Sequence, residues 1–82
     1  MNFEYEYITL IKNIKKYRIM NNLTQEQLAE MTDLSSSYIK QIESQRYFKN
    51  ITINTLFKIA KALNINVSDL FSQTTQKTKI IS

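Results

Sequence analysis

Ser36, Ser37, Lys40 and Gln41 place hydroxyl, ammonium and carboxamide groups at positions that a helix would gather on one side. These are groups that read base edges. A carboxamide can form a bidentate pair with adenine, a lysine can reach guanine or a phosphate, and a serine hydroxyl serves either base class. The rival reading is a solvated helix face, with the serines as ordinary first-turn residues. Covalent chemistry has little support. The 82 residues contain no His and no Cys, so the usual general base, thiol nucleophile and zinc or haem ligands are missing. There is also no glycine-rich phosphate loop, and the few acidic residues sit apart on helix faces. No enzyme activity, metal or cofactor is expected.

The elements that must position this face are two short amphipathic helices in residues 23–43, LTQEQLAEMTDLSSSYIKQIE. In the first, Leu28, Ala29 and Met31 can turn inward; in the second, Ile39 and Ile42 do so, with Leu34 at the corner. Thr24 is the predicted N-cap of the first, with Gln27 closing a capping box, and Ser35 caps the second. Two helices across a turn at Thr32, Asp33 and Leu34 make a helix-turn-helix, whose second helix enters the DNA major groove.

Helical periodicity covers most of the remaining chain. Phe3, Tyr7, Leu10, Ile11, Ile14 and Tyr17 mark one face of a helix ending near Asn21, and this period outweighs the strand-like FEYEY alternation. Thr52 or Asn54 opens a further helix that buries Leu56, Ile59, Ala60 and Leu63. Asn66 and Asp69 open a short last one carrying Val67, Leu70 and Phe71. With no glycine or proline, the turns need residues that tolerate positive φ, and Asn22, Asp33 and Asn64 stand just past three helix ends. One small domain over residues 1–71 follows, with a polar, flexible tail at 72–82. The net charge of +4 suits an anionic partner. No run is long and apolar enough to span a bilayer, and the start MNFEYEYI is unlike a secretion signal, so a cytoplasmic protein is expected.

The run from Leu10 to Phe71, with IKKYRIMNNLTQEQLAEMTDLS, YIKQIE and NTLFKIAKALNINVSDLF in order, resembles the phage-repressor and Cro type of helix-turn-helix domain, the XRE family. The resemblance implies an all-α, five-helix domain of the lambda-repressor kind. Within the family, YIKQIESQRYFKNITINTLFKIAKAL is similar to the controller proteins of restriction-modification systems. Two departures stand out. Asp33 replaces the usual turn glycine, and the loop SQRYFKNI at 44–51 is about two residues longer, adding Tyr47 and Phe48.

What the resemblance implies about sites is specific. It places base contacts at Ser36 and Ser37, and Lys40 and Gln41 join them from their own chemistry. Gln25 resembles the family's phosphate-binding glutamine; Thr24, Arg46, Lys49 and Asn50 are further backbone contacts, and Tyr38 is either a packing residue or a phosphate contact. Arg18 and Glu43 are implied to form a structural pair that orients the reading helix. The region around the last helix forms the two-fold interface in related domains. That assigns Ile65, Val67, Leu70 and Phe71 to a homodimer, with Phe3 and Tyr5 as additions. The expected function is a transcriptional regulator that binds a palindromic double-stranded operator as a dimer, such as a restriction-modification controller. An antitoxin or prophage repressor is the alternative within the family; a protein-interaction module that contacts no DNA is the alternative outside it.

Overall fold

The computed structural model describes residues 3–44 and 50–73. Five helices follow one another: α1 Glu4–Met20, α2 Gln25–Thr32, α3 Ser36–Ser44, α4 Ile53–Ala62 and α5 Val67–Leu70. Among the described residues there is no strand. The helix-turn-helix is α2 and α3; α1 lies against α3 and α5, while α4 packs on α2 and α5.

Four of the five helix starts, those of α2 to α5, are fixed by local side-chain bonds. Thr24 Oγ1 accepts from the Gln27 amide at 2.9 Å, and Gln27 Oε1 accepts from the Thr24 amide at 2.8 Å, which completes the capping box. Ser35 Oγ accepts from the Tyr38 amide at 3.0 Å and Thr52 Oγ1 from the Thr55 amide at 3.1 Å. Thr52, not Asn54, is thus the cap of α4. Ahead of α5, the Asn66 amide donates to Asp69 Oδ2 at 2.9 Å. The turns take the expected form: Asn22, Asp33 and Asn64 have φ of 58°, 60° and 60°, the left-handed region that Asn and Asp tolerate best among residues with a Cβ.

The core joins all five helices through Ile11, Ile14, Leu28, Ile39, Ile42, Ile59, Leu63 and Leu70, each fully buried. Three sequence expectations need correction. The pattern assigns Leu70 to a dimer interface, but its side chain is wholly inside the monomer core, as the one fully buried residue of the short α5, with Val67 packed half-buried against the same core. Met31 was expected inward and is 55% exposed, because the buried face of α2 is Leu28, Ala29 and Thr32. Met31 points about 105° from the centre of that face at 100° per residue. Thr32 is buried without penalty since its hydroxyl donates to the Leu28 carbonyl at 2.8 Å. Phe3, counted in the periodic face of the first helix, instead precedes α1; its exposure is compatible with its other assignment, to a dimer interface. α4 also exposes Ile53 and Phe57.

Asn13 carries a role that periodicity did not reveal. Buried on α1, it donates from Nδ2 to the carbonyls of Leu70 at 2.8 Å and Ser72 at 2.9 Å, so it closes the C-terminal end of α5. The first two residues of the expected tail are consequently tied to α1, Ser72 through this bond and Gln73 through a 3.4 Å contact with Thr9 Oγ1. Residues 74–82 lie outside the described residues. Replacing Asn13 with Ala should leave two carbonyls without their donor and lower the unfolding free energy by about 1–3 kcal/mol. Urea denaturation followed by circular dichroism measures this; an unchanged midpoint would show that the end of α5 does not depend on Asn13.

Candidate nucleic-acid interface

The outer side of α3 is built by elimination. Ile39 and Ile42 occupy the inner side against α1 and α2, so Ser37, Lys40, Gln41 and Ser44 fall within an arc of about 100° on the opposite side. All four are exposed, and Ser36 at the edge of the arc is half-buried. Sequence reasoning gathered the first three correctly and missed Ser44, which it placed in the loop; the helix reaches one residue further and the Ser44 hydroxyl bonds the Gln41 carbonyl at 2.8 Å. No apolar side chain stands on the arc.

What holds this arc at a fixed angle is a charged pair beneath it. Arg18 on α1 grips Glu43 with two parallel bonds, Nε to Oε2 at 2.8 Å and Nη2 to Oε1 at 2.9 Å. Its remaining nitrogen, Nη1, donates to the Leu23 carbonyl at 2.6 Å, and Gln25 Nε2 adds a 3.1 Å bond to Glu43 Oε1. The Glu43 side chain is only 2% exposed, and the three donors that reach it, Arg18 Nε, Arg18 Nη2 and Gln25 Nε2, offset its desolvation. The hydrogen bonds it donates to Glu43 raise the Arg18 guanidinium above its already high ordinary value, against the opposing effect of burial; it stays charged. The pair therefore ties α1, the start of α2 and the last turn of α3 together.

The groups assigned to phosphates divide into three sets. Thr24 and Gln25 lie at the start of α2, where the capping box leaves the Thr24 hydroxyl proton uncommitted and one Gln25 carboxamide hydrogen bonds Glu43 while a second remains. Tyr38 is half-buried against the core, and its hydroxyl donates to the Asn50 carbonyl at 3.4 Å. Burial raises its phenol above the ordinary value, followed by the influence of Tyr7, so it remains a donor. The packing role is thus seen directly, whereas a phosphate contact would require the hydroxyl proton to leave the Asn50 carbonyl. Asn50 is exposed. Arg46 and Lys49, with Tyr47 and Phe48, lie outside the described residues.

One contact had no signal in the sequence. Lys40 Nζ is 3.3 Å from Glu26 Oε2, joining the arc of α3 to the first turn of α2. The two residues belong to different helices, so no helical spacing announces the pair. Among the described residues there is no cluster of side chains suited to a metal ion, and no helix is long and apolar enough to cross a membrane.

Comparison with known proteins agrees with this geometry. Residues 14–70 match the helix-turn-helix family HTH_3. The control protein C.SmaI of Serratia marcescens is 44% identical over 64 residues, covering 78% of this chain and 74% of that protein. The immunity repressor protein of Bacillus phage phi105 is 43% identical over 68 residues, 83% of this chain but 46% of that longer protein. Among solved structures, the restriction-modification controller protein C.AhdI from Aeromonas hydrophila has a TM-score of 0.73 at 27% identity, covering 82% of this chain and 98% of that one.

The buried pair yields a direct test. Arg18→Ala strands the Glu43 carboxylate and should destabilise the fold by about 3 kcal/mol, the low end for a buried pair because Arg18 keeps some exposure. The apolar double variant Arg18→Met with Glu43→Leu should recover most of the loss. Thermal unfolding reads both, and an Arg18→Ala protein as stable as the parent would deny the pair its role. With its capped helices, its left-handed turns and an outward polar arc on the second helix of the motif, the chain belongs to the XRE-type helix-turn-helix family of DNA-binding transcription regulators.

Proposed function

We propose that this chain is a sequence-specific transcriptional regulator that binds a palindromic operator as a homodimer, and that it serves as a controller of a restriction-modification system. The observation that carries DNA reading is the exposed arc of Ser37, Lys40 and Gln41 on α3, clamped from behind by Arg18 and Glu43. Ser36 adds a contact at the edge. A rigid helix presenting hydrogen-bonding groups of mixed type suits the major groove, where each base pair shows its own donor and acceptor pattern. A protein-binding surface would present aromatic or aliphatic anchors, which this arc lacks.

Thr24, Gln25, Asn50, Arg46 and Lys49 are assigned to the phosphates, with Tyr38 contributing through its hydroxyl; such contacts set register. The controller role rests on the likeness to the control proteins of Serratia marcescens and Bacillus amyloliquefaciens, the latter 40% identical over 55 residues. A repressor of the phage type is the second reading, favoured by the 43% identity to the phi105 immunity repressor.

For the dimer, Leu70 is withdrawn as an interface residue and Phe71 becomes the centre. Phe71 is 45% exposed and lines a shallow groove with Tyr5, while Ile65 and Val67 are half-buried and Phe3 is exposed nearby in sequence. A second copy would cover these apolar groups. Phe71→Glu should therefore give a monomer at micromolar concentration in sedimentation, with helical content unchanged; a parent chain that is monomeric even on DNA would exclude the dimer.

Gln41→Ala tests base reading. It removes an exposed side chain and leaves no cavity, so the melting temperature should hold while specific binding weakens by about 1–3 kcal/mol per half-site. Titration against a duplex selected by the parent chain measures it. Equal losses on selected and unrelated duplexes would assign Gln41 to the backbone, contrary to the proposal.

A further inference from the structure

Lys40 is the cation of the outer arc of α3, at its edge, yet it does not stand alone: Glu26 Oε2, from the first turn of α2, lies 3.3 Å from its Nζ. Both side chains are more than half exposed, at 54% and 63%, so the pair is not a device for stability. It sits on the face assigned to DNA, where a carboxylate is unfavourable unless it has a use, because the duplex is lined with phosphates. The Glu26 carboxyl is held below the ordinary carboxylate range, first by a bond to its own backbone amide and then by Lys40. It is ionised at any neutral pH.

We propose that Glu26 is a specificity-determining positioning residue, which pairs with Lys40 across the helix-turn-helix and directs its ammonium to neutral acceptors on a guanine edge in preference to phosphates. The inference rests on the reading of α3 as the base-contacting helix. An ammonium has three N–H donors. One satisfies Glu26, and two remain for guanine O6 and N7, which are uncharged and tolerate a carboxylate nearby. A phosphate drawn to the same ammonium would meet Glu26 at close range, and like-charge repulsion would cancel much of the attraction. The pair thus withholds one positive charge from the non-specific, phosphate-driven mode of binding and keeps it available for base recognition.

Glu26→Gln tests this, since it preserves shape and hydrogen bonding and removes only the charge. Three duplexes serve as probes: one enriched by the parent chain from a random pool, the same duplex with G·C changed to A·T at one symmetric position of each half-site, taking the positions in turn, and an unrelated sequence. The variant should bind the unrelated duplex about five- to tenfold more tightly at 0.1 M salt, with a salt slope steeper by about one, as one added phosphate contact requires. Its preference for the selected duplex should fall by a similar factor, with the loss concentrated at a single G·C position. In a Lys40→Ala background, Glu26→Gln should leave that base preference unchanged. Equal tightening on all three duplexes, with base preference intact, would reduce Glu26 to a plain surface charge and overturn the proposal. Enrichment of no sequence by the parent chain is a separate result, and it would overturn the reading of α3 itself.

Discussion

The bidentate grip of Arg18 on Glu43 is the constraint on which the interface depends. Glu43, the acidic residue of α3, has a side chain almost wholly removed from water, and Arg18 and Gln25 supply its hydrogen bonds from two other elements. Apolar packing through Ile39 and Ile42 holds α3 in the core, but packing is tolerant of small rotations. Two parallel charge-assisted bonds are not. They fix which residues of α3 face outward and by what angle, and the same cluster secures the Leu23 carbonyl just before the capping box of α2.

This arrangement links reading and anchoring. Gln25 touches Glu43 with one carboxamide hydrogen, so the group assigned to a phosphate and the helix assigned to base edges share a common support. A phosphate bound at the start of α2 would therefore set the position of α3 in the groove through a path of direct bonds. Glu26 and Lys40 make a second link between the same two helices, on the outer surface, where solvent leaves it free to rearrange. One link is rigid and structural; the other is exposed and suited to discrimination.

Much of this was legible in the sequence because it is local. The capping box of Thr24 and Gln27, the cap at Ser35 and the left-handed turns at Asn22, Asp33 and Asn64 each depend on a few adjacent residues, and the structure has all of them. The Arg18–Glu43 pair was legible only by resemblance, since its partners are 25 positions apart. What escaped was set by tertiary geometry. Asn13 reads as an ordinary polar residue on a helix until the end of α5, 57 residues away, arrives beside it. Leu70 looked like surplus apolar surface, because pattern alone cannot say whether a short terminal helix faces its own core or a neighbour. Met31 failed for a smaller reason: with only eight residues in α2, a buried threonine shifted the inward face away from it.

The central claim is that the outer arc of α3 lies in the major groove, once in each of two symmetric half-sites. Dimethyl sulfate footprinting on a duplex selected by the chain measures this most directly, because it reports guanine N7 atoms in the major groove. The account predicts protection in two clusters about one helical turn apart, roughly 34 Å centre to centre. Protection confined to adenine N3 in the minor groove, or no base protection at saturating protein, would contradict it.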